Sequence, residues 1–251
     1  MLTATATNII TASITISDQP YCCSQTALLR QQTWLSPAFP TGSYSYSHGI
    51  EWAVEIGHVH DRHSLVDWLE ADLRYGSGRN EAIFFIEAWR CTTENDYEKL
   101  LEVAELAAAF RGTSEFALET SQQATACLTT LRRVWPDSAI ENLSALLSEL
   151  KIAPALAIVL GVRAATENIS ATLALPCFLQ SYLANLVTAG VRLIPLGQTD
   201  GQLAIDQLEG AVLAASAQAE KSTMYDLGSA AFMVDLASAS HETQYTRLFR
   251  S

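Results

Sequence analysis

Four of the five histidines fall between positions 48 and 63, and three of them sit in His58-Val-His60-Asp-Arg-His63. Imidazole nitrogens and the Asp61 carboxylate are ligands for a borderline metal such as zinc or nickel. The same residues also read as a solvated polar connection, since Arg62 stands among them and a short connection supplies no fixed geometry. A second stretch, Ser45-Tyr-Ser47-His48-Gly49, approaches a nucleophile elbow but lacks its first glycine. Ser47 fits a helix start as well as it fits a nucleophile. A phosphate-binding loop needs a lysine directly after a glycine. The only lysines are Lys99, Lys151 and Lys221, and none follows one. There is no G-x-G-x-x-G. Asp67, Glu70 and Asp72, and Glu98, Glu102 and Glu105, read as solvated helix faces rather than general acids. No catalytic residue, resident metal or cofactor is expected.

The end of the chain carries a different chemistry. His241-Glu-Thr-Gln-Tyr245-Thr-Arg247-Leu248-Phe249-Arg250-Ser251 places three apolar side chains at i, i+3, i+4, with Arg247 among them and Arg250 directly after. That spacing predicts a short amphipathic helix flanked by cations. Its apolar stripe needs a cover, either the chain's own core or another protein. His241 beside Glu242 reads as a helix-start pair rather than a proton shuttle.

The elements that position these residues are all helical in pattern. Period-3.6 apolar spacing marks helices over 26–35, 64–75, 80–90, 96–110, 114–135, 138–150, 155–165, 171–191 and 200–215. A further helix is expected to begin near Ser43 or Ser45. Gly76-Ser-Gly78, Gly112, Pro136-Asp137 and Pro195 punctuate the pattern. No window alternates as a half-buried strand would. The expectation is an all-α, single-domain bundle of about ten helices with no sheet, spanning 26–251, after a flexible arm over 1–25.

Composition narrows the function classes. Lys and Arg total 15 against 27 acids, a net charge of −12, which argues against a nucleic-acid binder. The longest apolar run, Ile152 to Val162, is 11 residues, whereas a helix needs about 20 to cross a bilayer. Residues 1–18 contain no Lys or Arg and do not read as a secretory signal. Five cysteines without C-x-x-C spacing suggest buried thiols in a reducing compartment, and a cytoplasmic location follows.

Three stretches together resemble the urease accessory protein UreF family: Leu35-Ser-Pro-Ala-Phe-Pro-Thr-Gly-Ser-Tyr-Ser-Tyr-Ser-His-Gly-Ile-Glu51, Val191-Arg-Leu-Ile-Pro-Leu-Gly-Gln-Thr-Asp-Gly-Gln202, and the tail from His241. The resemblance covers roughly residues 26 to 251. It implies an all-helical, non-catalytic scaffold in the maturation of urease, a nickel enzyme. Such proteins dimerise, bind UreD (UreH in some systems), recruit and modulate the GTPase UreG, and assist nickel insertion into apo-urease. On this resemblance the tail orders against UreD/UreH. Tyr245, Leu248 and Phe249 are then anchors, Arg247 and Arg250 charged donors, and His241 and Glu242 members of the same site. Tyr44, Tyr46, His48 and Glu51 of the first stretch are further candidates for partner contact, as are Arg192, Gln198, Asp200 and Gln202 of the second. Pro37, Pro40, Gly42, Gly49, Pro195 and Gly197 either shape the backbone or join the contact. The rival reading is a nickel metallochaperone that holds the ion through His48, His58, His60 or His63.

Overall fold

In a computed structural model, which describes residues 23–250, the chain forms eleven α-helices and two short 3-10 turns, with no strand among the described residues. The helices are α1 Gln25–Trp34, α2 Ile50–Glu55, α3 Arg62–Tyr75, α4 Ser77–Glu94, α5 Tyr97–Ala109, α6 Ser114–Val134, α7 Ser138–Glu149, α8 Leu156–Thr166, α9 Ala171–Leu193, α10 Gln198–Ala219 and α11 Phe232–His241. The all-α reading holds. Residues 1–22 of the expected arm lie outside the described residues. Cys23 and Ser24 already belong to the folded body, since Cys23 is buried and Ser24 caps α1 by accepting from the Ala27 amide.

The centre is α4 packed on α8. Ala82 to Ala88 of α4 and Ala157 to Ala164 of α8 are buried without interruption. Their close approach depends on Gly161, where an added Cβ would stand 2.5 Å from the Phe85 carbonyl. Around this pair lie α3, α5, α9 and α10, with α6 and α7 against α8. The stacked rings of Phe85 and Phe178, 5.0 Å apart, join α9 to the centre.

Helix starts follow side-chain chemistry. Asp96, Thr113 and Asp137 each accept amide N–H groups in the first turns of α5, α6 and α7. Several expected boundaries move for the same reason. Asp61, not Ser64, caps α3; Ser64 sits three residues on and completes a reciprocal pair with it. Gly76 alone forms the α3–α4 corner, and Gly78 lies inside α4. Ser43–Ser45 makes only a 3-10 turn, and α2 begins at Ile50 behind Gly49.

The sequence reading of membrane spans needs one correction. α9 is long and apolar enough to cross a bilayer by length and composition, although it contains Pro176. Half of its most apolar window is buried in the body, against α10 and α4 among others.

Candidate functional site

The first and third resemblance stretches meet through one carboxylate. Residues 37–49 wrap a turn that needs left-handed backbone at Gly42, His48 and Gly49, with φ of 75°, 56° and 80°. At Gly49 a Cβ would lie 2.7 Å from the backbone nitrogen of Ser238, so only glycine lets α2 start against α11. This approach points Glu51, one residue into α2, inward. Glu51 is 7% exposed. Its carboxylate accepts the amide N–H groups of Leu248 at 2.6 Å and Phe249 at 2.9 Å. It also faces Nε2 of His241 at 3.1 Å.

His241 ends α11 and is fully buried, not a helix-start residue. Its Nδ1 faces Glu115 of α6 at 2.8 Å, so the ring bridges the carboxylates of α2 and α6. Arg247 adds a contact to Glu115 at 3.2 Å. Burial raises the Glu115 carboxyl above the usual range, while the hydrogen bond from His241 and the Arg247 charge act in the opposite direction.

The tail therefore folds onto its own chain. It is not the expected helix, because Glu51 holds the Leu248 and Phe249 amides in place of helical carbonyls. Phe249 is buried under the guanidinium of Arg192, 4.4 Å from the ring centre. Arg192 also donates to the Tyr44 carbonyl at 2.9 Å, and the Arg250 amide donates to the Ser45 carbonyl at 2.8 Å. Arg192, the second residue of the second stretch, thus joins the other two. Tyr245 is completely exposed and Leu248 is 57% exposed. On α11, which leads into the tail, Phe232, Met233 and Leu236 also face solvent.

The remaining predicted residues divide in two groups. Tyr44, Glu242 and Arg250 lie at the surface, and Glu242 accepts from the amide and hydroxyl of Ser114. Tyr46 is buried, with its hydroxyl donating to Gln122 at 2.6 Å. Gln198, Asp200 and Gln202 open α10 behind the Pro195–Gly197 turn. Asp200 accepts from the Gly197 amide and from Arg62, which accounts for it as a helix-start residue.

His48, in the turn before α2, is also buried. Its Nδ1 donates to Glu119 at 3.0 Å, and its ring stacks on Phe116. Ser77 donates to Asp72 at 2.8 Å, so its oxygen accepts from His48 Nε2. Tyr182 donates to the other Asp72 oxygen at 2.7 Å. Burial works to lower the His48 pKa, but the charge and hydrogen bond of Glu119, with Asp72 and Glu81 beyond, outweigh it and leave the pKa raised. Sequence reasoning missed Glu115, Glu119, Ser77 and Tyr182, and it placed Asp72 on a solvated face, whereas it is 1% exposed. The available signal was the i, i+4 spacing of Glu115 and Glu119 on the inward side of α6, beside Phe116.

Neither suggested chemistry is assembled. Ser47 is buried with its oxygen toward the Glu51 amide, while His48 points at Glu119 and Ser77. His58, His60 and His63 are exposed and lie apart from His48; His60 faces Asp61 and His63 faces Asp67. Among the described residues no group of three His, Cys, Asp or Glu side chains is arranged to hold a metal ion.

Comparison with known proteins places the chain in a family. The UreF family profile matches residues 59–209. A protein named urease accessory protein UreF from Rhodopseudomonas palustris (strain BisB5) is 45% identical over 238 residues, 94% of this chain and 97% of the relative. One of the same name from Bradyrhizobium diazoefficiens is 45% identical over 225 residues, covering 90% and 92%. Another, from Bradyrhizobium sp. (strain BTAi1), is 43% identical over 250 residues and covers both chains in full. With the three sequence stretches, the all-helical fold, a family profile over more than half of the chain and relatives matched over 90% or more of it, the chain belongs to the UreF family.

Proposed function

We propose that this chain is a non-catalytic scaffold of urease maturation. It binds UreD/UreH, recruits and modulates the GTPase UreG, and assists nickel insertion into apo-urease, working as a homodimer in the cytoplasm. The names of its relatives support the urease context. The absence of a glycine-lysine phosphate loop makes a separate GTPase the nucleotide-binding member.

The observation that carries the reading is the Glu51 latch. It fixes the tail backbone while leaving Tyr245 and Leu248 at the surface. Apolar side chains held outward on a rigid support are what a protein interface uses as anchors. Glu51, His241 and Phe249 position the surface, and Tyr44, Tyr245, Leu248 and Arg250 make the contact. Gln198 and Gln202 mark a second face for another member of the assembly.

The test is co-purification of UreD/UreH and UreG with the full chain and with a Tyr245→Ala/Leu248→Asp variant. The variant is expected to keep its circular dichroism and to lose UreD/UreH. Retained capture by a folded variant removes the tail from the interface.

A further inference from the structure

The serine that meets His48 is not its neighbour Ser47 but Ser77, the first residue of α4. Ser77 Oγ lies 2.5 Å from His48 Nε2. Nδ1 of the same ring lies 3.0 Å from Glu119. A hydroxyl, an imidazole and a carboxylate linked in that order match a nucleophile, its general base and the group that orients the base. The ring is held in place. It stacks on Phe116 with centroids 3.9 Å apart, and its backbone sits at a φ of 56°, which residues other than glycine seldom adopt.

His48, Ser77 and Glu119 all line one cavity of about 340 Å³, within the range of small-molecule sites. Ser77 is half-buried there. The amide N–H groups of Ser77 and Arg79, in the first turn of the 18-residue α4, have no acceptor among the described residues. That end of a helix favours negative charge, so the two amides suit an oxyanion forming on a carbonyl bonded to Ser77. Arg111, also in the lining, leaves its Nη2 without a partner, and what that donor lacks is an acceptor oxygen.

We propose that Ser77 and His48, positioned by Glu119, form an acyl-transfer site that hydrolyses small carboxylic esters. His48 Nε2 takes the Ser77 proton as Oγ bonds to the ester carbonyl carbon. The same nitrogen gives that proton to the departing alkoxide as the ester C–O bond breaks, releasing the alcohol. It then takes a proton from water, which attacks the acyl group, releases the carboxylic acid and restores Ser77. The activity is additional to the scaffold role and does not rest on it.

The reactive form needs Nε2 without its proton and Nδ1–H kept toward Glu119. The groups around the ring are Glu119 of α6, Ser77 of α4 with Asp72 of α3 beyond it, Tyr182 of α9, and Glu81 of α4. Their carboxylates hold the His48 pKa up, so the rate should rise with pH above the ordinary imidazole value of about 6.5.

The experiment follows 4-nitrophenyl acetate hydrolysis by the full chain, before and after phenylmethanesulfonyl fluoride, a reagent for activated serines, with the modified residue found by peptide mass spectrometry. Sulfonylation of Ser77 together with loss of turnover is expected. A folded Ser77→Ala chain should be at least about tenfold slower, and His48→Gln should lose the pH-dependent rise. No turnover above buffer, turnover that survives the reagent, or modification confined to other residues would overturn the proposal. Labelling is done on the unaltered chain, so it decides the matter even if a variant does not fold.

Discussion

Replacing Glu51 by alanine should release the tail while leaving the helical body folded. The carboxylate holds two amide N–H groups, of Leu248 at 2.6 Å and Phe249 at 2.9 Å, in a setting where it is only 7% exposed. Hydrogen bonds to a charged group contribute about 1.5–3 kcal/mol each, so the pair supplies about 3–6 kcal/mol. Fixing one residue's backbone costs about 1–2 kcal/mol, so this pair offsets the ordering of only a few tail residues. Burial of Phe249 adds about 1.5–3 kcal/mol and does not by itself hold the tail down. Opening of the tail should therefore become about 10²- to 10⁴-fold more frequent, at about tenfold per 1.4 kcal/mol. Native-state hydrogen exchange reads this directly at the Leu248 and Phe249 amides, with the α4 amides of Phe84 to Ala88 as internal reference. Glu51→Gln, which keeps one acceptor oxygen, should fall between the two. Unchanged protection of the Leu248 and Phe249 amides in Glu51→Ala would refute the latch.

Three further outcomes follow from the same geometry. Gly49→Ala places a Cβ 2.7 Å from the Ser238 backbone nitrogen at a φ of 80°, so it should destabilise the chain by about 1–3 kcal/mol in urea unfolding and loosen α2 from α11. The raised pKa of His48 means the folded chain binds its proton more tightly than the unfolded one. That stability is complete below about pH 6.5 and is lost as pH rises through the raised value, so urea midpoints should fall over that window and flatten in His48→Gln. Burial pushes the Cys91 and Cys127 thiols up to about 11 and about 12, while Cys177 lies exposed on α9. Peptide mapping after brief alkylation at neutral pH should find Cys177 modified well before Cys91 and Cys127.

The helices were legible because apolar spacing and helix-breaking residues agree along the chain. The α4 run through Ile83, Phe84 and Ile86 and the apolar α8 are core in the sequence and core in the structure. The exposed thiol of Cys177 was not legible, since an all-round apolar helix such as α9 gives no sign of which edge meets solvent. The tail misled for another reason. Its i, i+3, i+4 stripe is helical in period, but a carboxylate nearly two hundred residues away takes the amides a helix would use. Asp72, Glu115 and Glu119 look like solvated acids in a one-dimensional reading. Only the packing of α3, α4, α6, α9 and α11 around the turn before α2 brings Ser77, Tyr182, His48 and His241 to them. Gly49 was legible as a turn residue, and its close approach to Ser238 was not.

The most direct test of the central claim is the affinity of purified UreD/UreH for the full chain and for Leu248→Asp, with matched unfolding midpoints as a control. Leu248 is 57% exposed and its side chain is free to meet a partner, so its loss should not affect the fold. The account predicts an unchanged midpoint and at least about hundredfold weaker binding, the scale of an anchor residue. Equal affinity at an equal midpoint would contradict it and move the recognition surface away from the tail.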